Sequence, residues 1–304
     1  MQGSGRGRGY AIAIASAAVL SSTAPFIRHL TLAYRVPALV LALWRDVLVA
    51  AVLGAVLAAF RPALLRLRRA DVPLLLGYGA VLAVFNCCWT LSVALTGAAL
   101  ATVLAYSSAV FSALLGWWLF REPLGVAKAL AVLLCVGGCA LVAGLPSQAA
   151  PASLAGVLLG VASGLCYAAY GLLGRAASRR GLSAWTTVLY AFGIAGAILL
   201  ALDLLAAGWL PGAPATAAQV ADVGGPAAWA ILFALAAGPT VLGFGLYNVA
   251  LTWLPASTAN LVLTLEPLFT AAIAYLALGE RLTPMALAGS GLILAGVLLV
   301  QASE

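Results

Sequence analysis

Apolar residues run along this chain in ten blocks of about 20, separated by short stretches that carry Pro, Gly or charge. A block of that length crosses the roughly 30 Å hydrocarbon core of a bilayer as an α-helix, and the short period-two segments of a membrane barrel are missing. The breaks predict helices over residues 10–28, 37–60, 72–95, 98–120, 124–144, 154–174, 184–205, 227–251, 258–278 and 285–300. The expected fold is an all-α membrane protein with ten transmembrane helices.

Composition strengthens this reading: 65% of residues are hydrophobic, 8% are charged and the mean hydropathy is +1.14. Soluble domains carry about a quarter charged residues, so soluble enzymes and nucleic-acid binders are excluded. The net charge of +7 does not indicate a polyanion partner, because the basic residues sit at helix ends. With the first terminus in the cytoplasm, Arg6, Arg8, Arg61, Arg66, Arg68, Arg69, Arg121, Lys128, Arg175, Arg179 and Arg180 fall inside, and only Arg28, Arg35 and Arg281 fall outside. The positive-inside rule therefore places both termini in the cytoplasm.

The start, MQGSGRGRGY before an apolar run, has the form of a secretory signal, but it has a twin in the second half. An offset of 147 lays Gly9, Ala15, Ser16 and Arg28 on Gly156, Ala162, Ser163 and Arg175. An offset of 158 lays residues 89–142 on 247–300, pairing Phe111 with Phe269, Glu122 with Glu280 and Gly138 with Gly296. The two offsets differ by an 11-residue insertion, which fits the long loop at 206–226. The expected organisation is a first five-helix repeat over 1–146 and a second over 147–304, inverted because five crossings reverse the chain. Inverted repeats build secondary transporters with a midplane site between the halves. Gly156, Gly160, Gly164 and Ala168, with Gly9, Ala13, Ala17 and Ser21 opposite them in the repeat, predict close helix packing.

The stretch LEPLFTAAIAYLALGERLTP at 265–284 and FREPLGV at 120–126 resemble the paired signature of the drug/metabolite transporter superfamily, EamA branch. Span number, duplication and Trp44–Arg45 in the second span agree with it. The resemblance implies a bacterial inner-membrane carrier without a bound cofactor, often an exporter of amino acids or other small metabolites. The aromatic amino-acid exporter type is the favoured subgroup, although no short motif fixes it.

Polar residues inside spans are costly in lipid and face a cavity or a partner. Glu266, directly before Pro267, either binds a substrate ammonium, carries a proton or makes a structural bond at a loosened helix turn. Arg45, about 12 Å into its span, either binds a carboxylate or locks packing through Asp46 or Glu266. Adjacent residues point about 100° apart, so Arg45 and Asp46 need not pair. Thr102 with Tyr106, and their repeat counterparts Asn260 with Thr264, form matching polar faces. Asn86, Asn248, Tyr78 and Tyr167 complete the expected substrate lining, with Tyr170 on a face beside Tyr167.

Cys87, Cys88, Cys135, Cys139 and Cys166 lie within spans as small apolar groups, and neither a metal site nor a disulfide is expected. No HExxH, GxSxG or P-loop pattern occurs, so the chain is not expected to be an enzyme or an ATP-driven pump. The expected partners are a small-molecule substrate, membrane lipid and, for coupling, protons. The expected function is export of amino acids, aromatic ones favoured, by alternating access. Export of hydrophobic cations or drugs, and a non-transporting scaffold, stand as alternatives.

Overall fold

The computed structural model describes residues 2–96, 101, 104–121, 125–142, 154–205, 207–209, 212–266, 268–269, 272 and 284–303. Lipid offers no partner to a backbone N–H or C=O, so the apolar blocks fold as helices that satisfy themselves. They are α1 (Gln2–Leu20), α2 (Thr23–Ala33), α3 (Ala38–Phe60), α4 (Val72–Thr96), α5 (Ser108–Phe120), α6 (Val126–Val142), α7 (Leu154–Arg179), α8 (Ala184–Leu205), α9 (Pro226–Leu235), α10 (Val241–Trp253), α11 (Ala256–Leu263) and α12 (Pro284–Ser303). Among the described residues, five continuous helical stretches are long and apolar enough to cross a membrane: Ala38–Phe60, Arg69–Ser92, Leu154–Arg179, Ala184–Leu205 and Pro226–Trp253. Trp118, Leu133, Leu158 and Leu298 are exposed on the outside of the bundle, as a lipid-facing surface requires.

The packing follows the repeat offsets. Helix α3 lies against α8 and α6 against α12, so each of these helices meets its own repeat counterpart. Helix α4 lies against α7, and the equivalent pair, α10 against α1, is also formed. At the α6–α12 contact the Cys135 thiol points to the Ile293 carbonyl at 3.7 Å, across a separation of 158 residues. A Cβ on Gly138 would stand 2.6 Å from the Gly289 oxygen, and one on Gly296 would stand 2.6 Å from Cys135 Sγ. These reciprocal contacts mark a pseudo-two-fold relation between the halves. The small-residue stripes pack closely, with Gly160 against Leu104, Gly164 against Ser107 and Gly9 against Leu254.

Among the described residues, four expected spans are interrupted. The first divides into α1 and α2 at Ser21–Ser22, where Ser21 Oγ and Ser22 Oγ donate to the Ala18 and Val19 carbonyls. Pro25 lacks the N–H that would bond the Ser21 carbonyl; its counterpart in the unbroken α7 is Leu172. The eighth carries a π turn, Ala236–Thr240, around Pro239. Pro239 cannot serve the Leu235 carbonyl, and Thr240 Oγ1 does so instead at 2.9 Å. The fourth turns at Tyr106–Ser107 and the ninth at Thr264–Leu265, positions separated by the same 158-residue offset. Ser107 Oγ and Thr264 Oγ1 return to the Leu104 and Leu261 carbonyls at 2.5 and 2.6 Å.

A charged clasp joins α3 to α4. Arg45 Nε lies 3.3 Å from Asp46 Oδ1, Arg45 donates to Asn86 Oδ1 at 2.6 Å, and Asn86 Nδ2 donates to Asp46 Oδ2 at 2.7 Å. Arg45 and Asp46 thus do pair, because the long arginine side chain curls back over the turn and Asn86 closes the ring. At the end of α8 the Asp203 carboxylate is buried, and neither oxygen has a hydrogen-bond partner among the described residues.

Three stability outcomes follow. Asp46→Ala leaves Arg45 buried without its counter-charge and is expected to cost about 3–5 kcal/mol, read as a lower thermal midpoint in detergent. Asp203→Asn removes an unpartnered charge and leaves the midpoint unchanged or raised; equal behaviour of the two variants would refute the clasp. Gly138→Ala and Gly296→Ala each drive a methyl into backbone, and each is expected to lower stability by about 1–3 kcal/mol in the same assay.

Candidate functional site

One set of buried polar side chains gathers where α4, α5, α7, α10 and α11 meet. Tyr78 Oη on α4 donates to Asn248 Oδ1 on α10 at 2.7 Å. Asn248 Nδ2 donates to Tyr170 Oη on α7 at 3.0 Å and to the Phe244 carbonyl at 2.9 Å. In a second chain of bonds, Tyr247 Oη donates to Asn260 Oδ1 on α11, and Asn260 Nδ2 donates to Ser112 Oγ on α5. All of these side chains are buried, where an unpaired amide or hydroxyl would carry a full desolvation penalty.

Stacked rings join the two chains. Phe85 lies over Tyr167 at 5.1 Å, Tyr167 over Tyr247 at 5.8 Å, Tyr170 over Tyr247 at 6.1 Å, and Tyr78 beside Tyr170 at 4.4 Å between centroids. Tyr167 and Tyr170 are three residues apart on α7 and so share one side of it. Glycine makes their neighbours' approach possible: a Cβ on Gly171 would collide with the Tyr247 hydroxyl, and one on Gly174 would stand 2.7 Å from Tyr78 Oη.

Beside this cluster are the two interrupted helices. Tyr106 sits at the turn of the fourth span and Glu266 follows the turn of the ninth, which brings the Tyr106 hydroxyl near the Glu266 carboxylate. Glu266 is half-buried and lies near Tyr167. A half-buried carboxylate beside stacked phenol rings can receive a cation, with the ring faces adding cation–π attraction.

Of the residues expected to line a site, Tyr78, Tyr167, Asn248 and Asn260 are brought together, with Tyr106, Glu266 and Thr264 at the adjoining turns. Thr102 lies outside the described residues. Arg45 and Asn86 are engaged with Asp46, and Asn86 stands eight residues, about 12 Å, along α4 from Tyr78. Among the described residues no hydrogen bond links their clasp to the tyrosine cluster. The structure adds Tyr247, Ser112 and Phe244, which sequence reasoning passed over. Tyr247 adjoins Asn248, and Ser112 follows Ser108 by one helical turn; those spacings were the available signals.

Comparison with known proteins accords with this architecture. The model of the EamA-like transporter family matches twice, over residues 7–144 and 154–302. An uncharacterized transporter of Archaeoglobus fulgidus is 29% identical over 144 residues, covering 47% of this chain and 47% of that protein, so the match spans about half the length of the relative. A solved structure, titled only as the crystal structure of a protein, superposes with a TM-score of 0.78 at 18% identity, covering 97% of this chain and 96% of the other; that likeness concerns the fold. With two family matches spread over nearly all its length, the chain belongs to the EamA-like transporter family.

Proposed function

We propose that this transporter is a secondary carrier of amino acids, aromatic ones preferred, that binds its substrate at the tyrosine–asparagine cluster and exports it across a bacterial inner membrane. The observation that carries the reading is the pair of helix interruptions at Tyr106–Ser107 and Thr264–Leu265, at repeat-equivalent positions beside that cluster. Paired interruptions in the two halves of a duplicated membrane protein mark the binding site, because irregular backbone is tolerated at that depth only where it lines a cavity or is buried in protein. The chemistry suits a zwitterion with an aromatic side chain. Glu266 offers a carboxylate to an ammonium, the Asn248 and Asn260 amides offer donors to a carboxylate, and Phe85, Tyr167 and Tyr247 offer stacking faces.

In the described conformation those amides are engaged by tyrosine hydroxyls and Ser112. Substrate would exchange one set of hydrogen bonds for another, which keeps the desolvation cost low in both states. Alternating access then consists of the two halves exchanging conformations about the α6–α12 contact. The cytoplasmic placement of both termini and the direction of transport rest on the arginine distribution and on the family resemblance. Glu266 is the candidate coupling group, since it is the carboxylate at the interrupted helices. The same carboxylate favours a second reading, export of hydrophobic cations, in which the amides have no role.

Proteoliposome counterflow with phenylalanine, tryptophan, threonine, alanine and a lipophilic cation, each with and without a pH gradient, separates these readings. Saturable aromatic flux is expected, and flux of the cation alone would replace the first reading by the second. Asn248→Ala and Asn260→Ala are expected to lower aromatic flux by roughly 10-fold, the loss of a hydrogen bond to a charged group, while leaving any cation flux intact. Glu266→Gln is expected to abolish gradient-driven accumulation and, by removing the charge that faces the substrate ammonium, to lower counterflow by roughly 10-fold. Wild-type flux insensitive to the gradient would make the protein a facilitator and return Glu266 to a structural role.

A further inference from the structure

At the arginine-rich end of the bundle lies a crevice of about 240 Å3, open to solvent. One wall is the α3–α4 connection, with Arg66, Arg68 and Asp71; the other is the α7–α8 connection, with Arg180 and Ser183. The walls are fixed to each other. Thr186 Oγ1 donates to the Leu64 carbonyl at 2.8 Å and Tyr190 Oη to the Leu65 carbonyl at 2.7 Å, so α8 holds the 3-10 turn Pro62–Leu65. On the second wall, Gly181 takes φ 77° and turns the chain sharply out of α7, leaving Arg180 at the crevice edge.

The first wall is built to present two guanidiniums together. Arg66 (φ −81°, ψ 126°) and Arg68 (φ −81°, ψ 139°) are extended, and residues two apart in extended chain point to the same side. Leu67 between them packs against the hydrophobic core, which turns both arginines away from it. Arg66, Arg68 and Arg180 are exposed, and none has an ion-pair partner among the described residues. Asp71 is the one carboxylate in the lining, so three positive charges face one negative charge. Phe60, in the last turn of α3 beside this wall, is exposed and supplies an apolar surface at the membrane boundary.

We infer that this crevice is a binding site for a phosphate-ester anion, supplied either by the headgroup of an anionic phospholipid or by a soluble phosphate compound. Guanidinium forks match a tetrahedral oxyanion bidentately, and three of them from two walls surround it as carboxylate-sized ligands would not require. The positive-inside rule puts this end at the cytoplasmic leaflet, where anionic phospholipids supply that group in place. Because one wall belongs to each matched family unit, an anion bound here ties the two halves together at this end. The site lies apart from the tyrosine–asparagine cluster and does not depend on the substrate.

The test compares retention of phosphatidylglycerol and phosphatidylcholine by the chain in native mass spectrometry, and measures inorganic phosphate binding by calorimetry. The R66Q/R68Q/R180Q variant is expected to lose affinity by roughly 1000-fold, about 10-fold for each charge-assisted hydrogen bond removed. An R61Q/R69Q/R121Q control removes the same charge outside the crevice and retains the affinity. Thermal midpoints matching the parent show that both fold; R66Q and R180Q singly, one on each wall, repeat the comparison at about 10-fold each. Loss in the phosphatidylglycerol arm assigns the headgroup, and loss in the phosphate arm assigns a soluble ligand. Equal retention of both lipids without phosphate binding, or equal loss in crevice and control variants, overturns the site.

Discussion

Every irregularity in this bundle is governed by the need to give each main-chain carbonyl a partner where water is absent. Where proline removes a backbone donor or a helix turns, hydroxyl side chains add a bond to the carbonyls concerned, at the turns alongside the N–H of the same residue. Thr240 serves Leu235 beside Pro239, Thr264 serves Leu261, Ser107 serves Leu104, and Ser21 and Ser22 serve Ala18 and Val19. Each hydroxyl lies within a few residues of the carbonyl it caps. The repair is therefore local, and a helix can be interrupted without waiting for a neighbour to approach. That local repair is what permits two interruptions beside the central cluster.

Around them the interior is divided into two polar assemblies of different character. The Arg45–Asp46–Asn86 clasp is charged, closed and confined to α3 and α4, so it fixes the first half internally. The tyrosine–asparagine cluster is neutral and draws residues from both halves, with Tyr78 and Ser112 from the first and Tyr170, Tyr247, Asn248 and Asn260 from the second. Neutral bonds shared between halves can be exchanged at lower cost than a buried ion pair can be broken. Membership of a transporter family fits that division, with a rigid charged element beside a rearrangeable neutral one.

Much of the fold was legible as hydropathy and repetition. The expected seventh span, 184–205, coincides with α8, and the 158-residue offset reappears as the contact of Cys135 with Ile293. The interruptions were less legible, because averaged hydropathy registers side-chain polarity and is blind to main-chain direction. Pro25 and Pro239 stood in the sequence as breakers, yet their blocks remain apolar on average. The cluster was half legible: polar residues within spans identified Tyr78, Tyr167, Asn248 and Asn260. Tyr247 and Ser112 were hidden because a tyrosine or serine in a span has many ordinary roles, and only the crossing of α10, α11 and α5 selects them. The pairing of Arg45 with Asp46 depended on the arginine rotamer and on Asn86, 40 residues farther along the chain than Asp46, which helical angles alone do not determine.

The two interruptions are equivalent in position but not in chemistry. Tyr106 corresponds to Thr264 and Glu266 to Ser108, so the hydroxyl and carboxylate on one side have as their image a threonine and a serine. The Ser108 hydroxyl is buried and has no partner among the described residues. In any duplicated carrier whose halves trade conformations, such divergence makes the two orientations unequal in free energy. The resting orientation is then inherited from a handful of substitutions made after duplication, and a carrier with no energy source of its own still waits facing one side of the membrane.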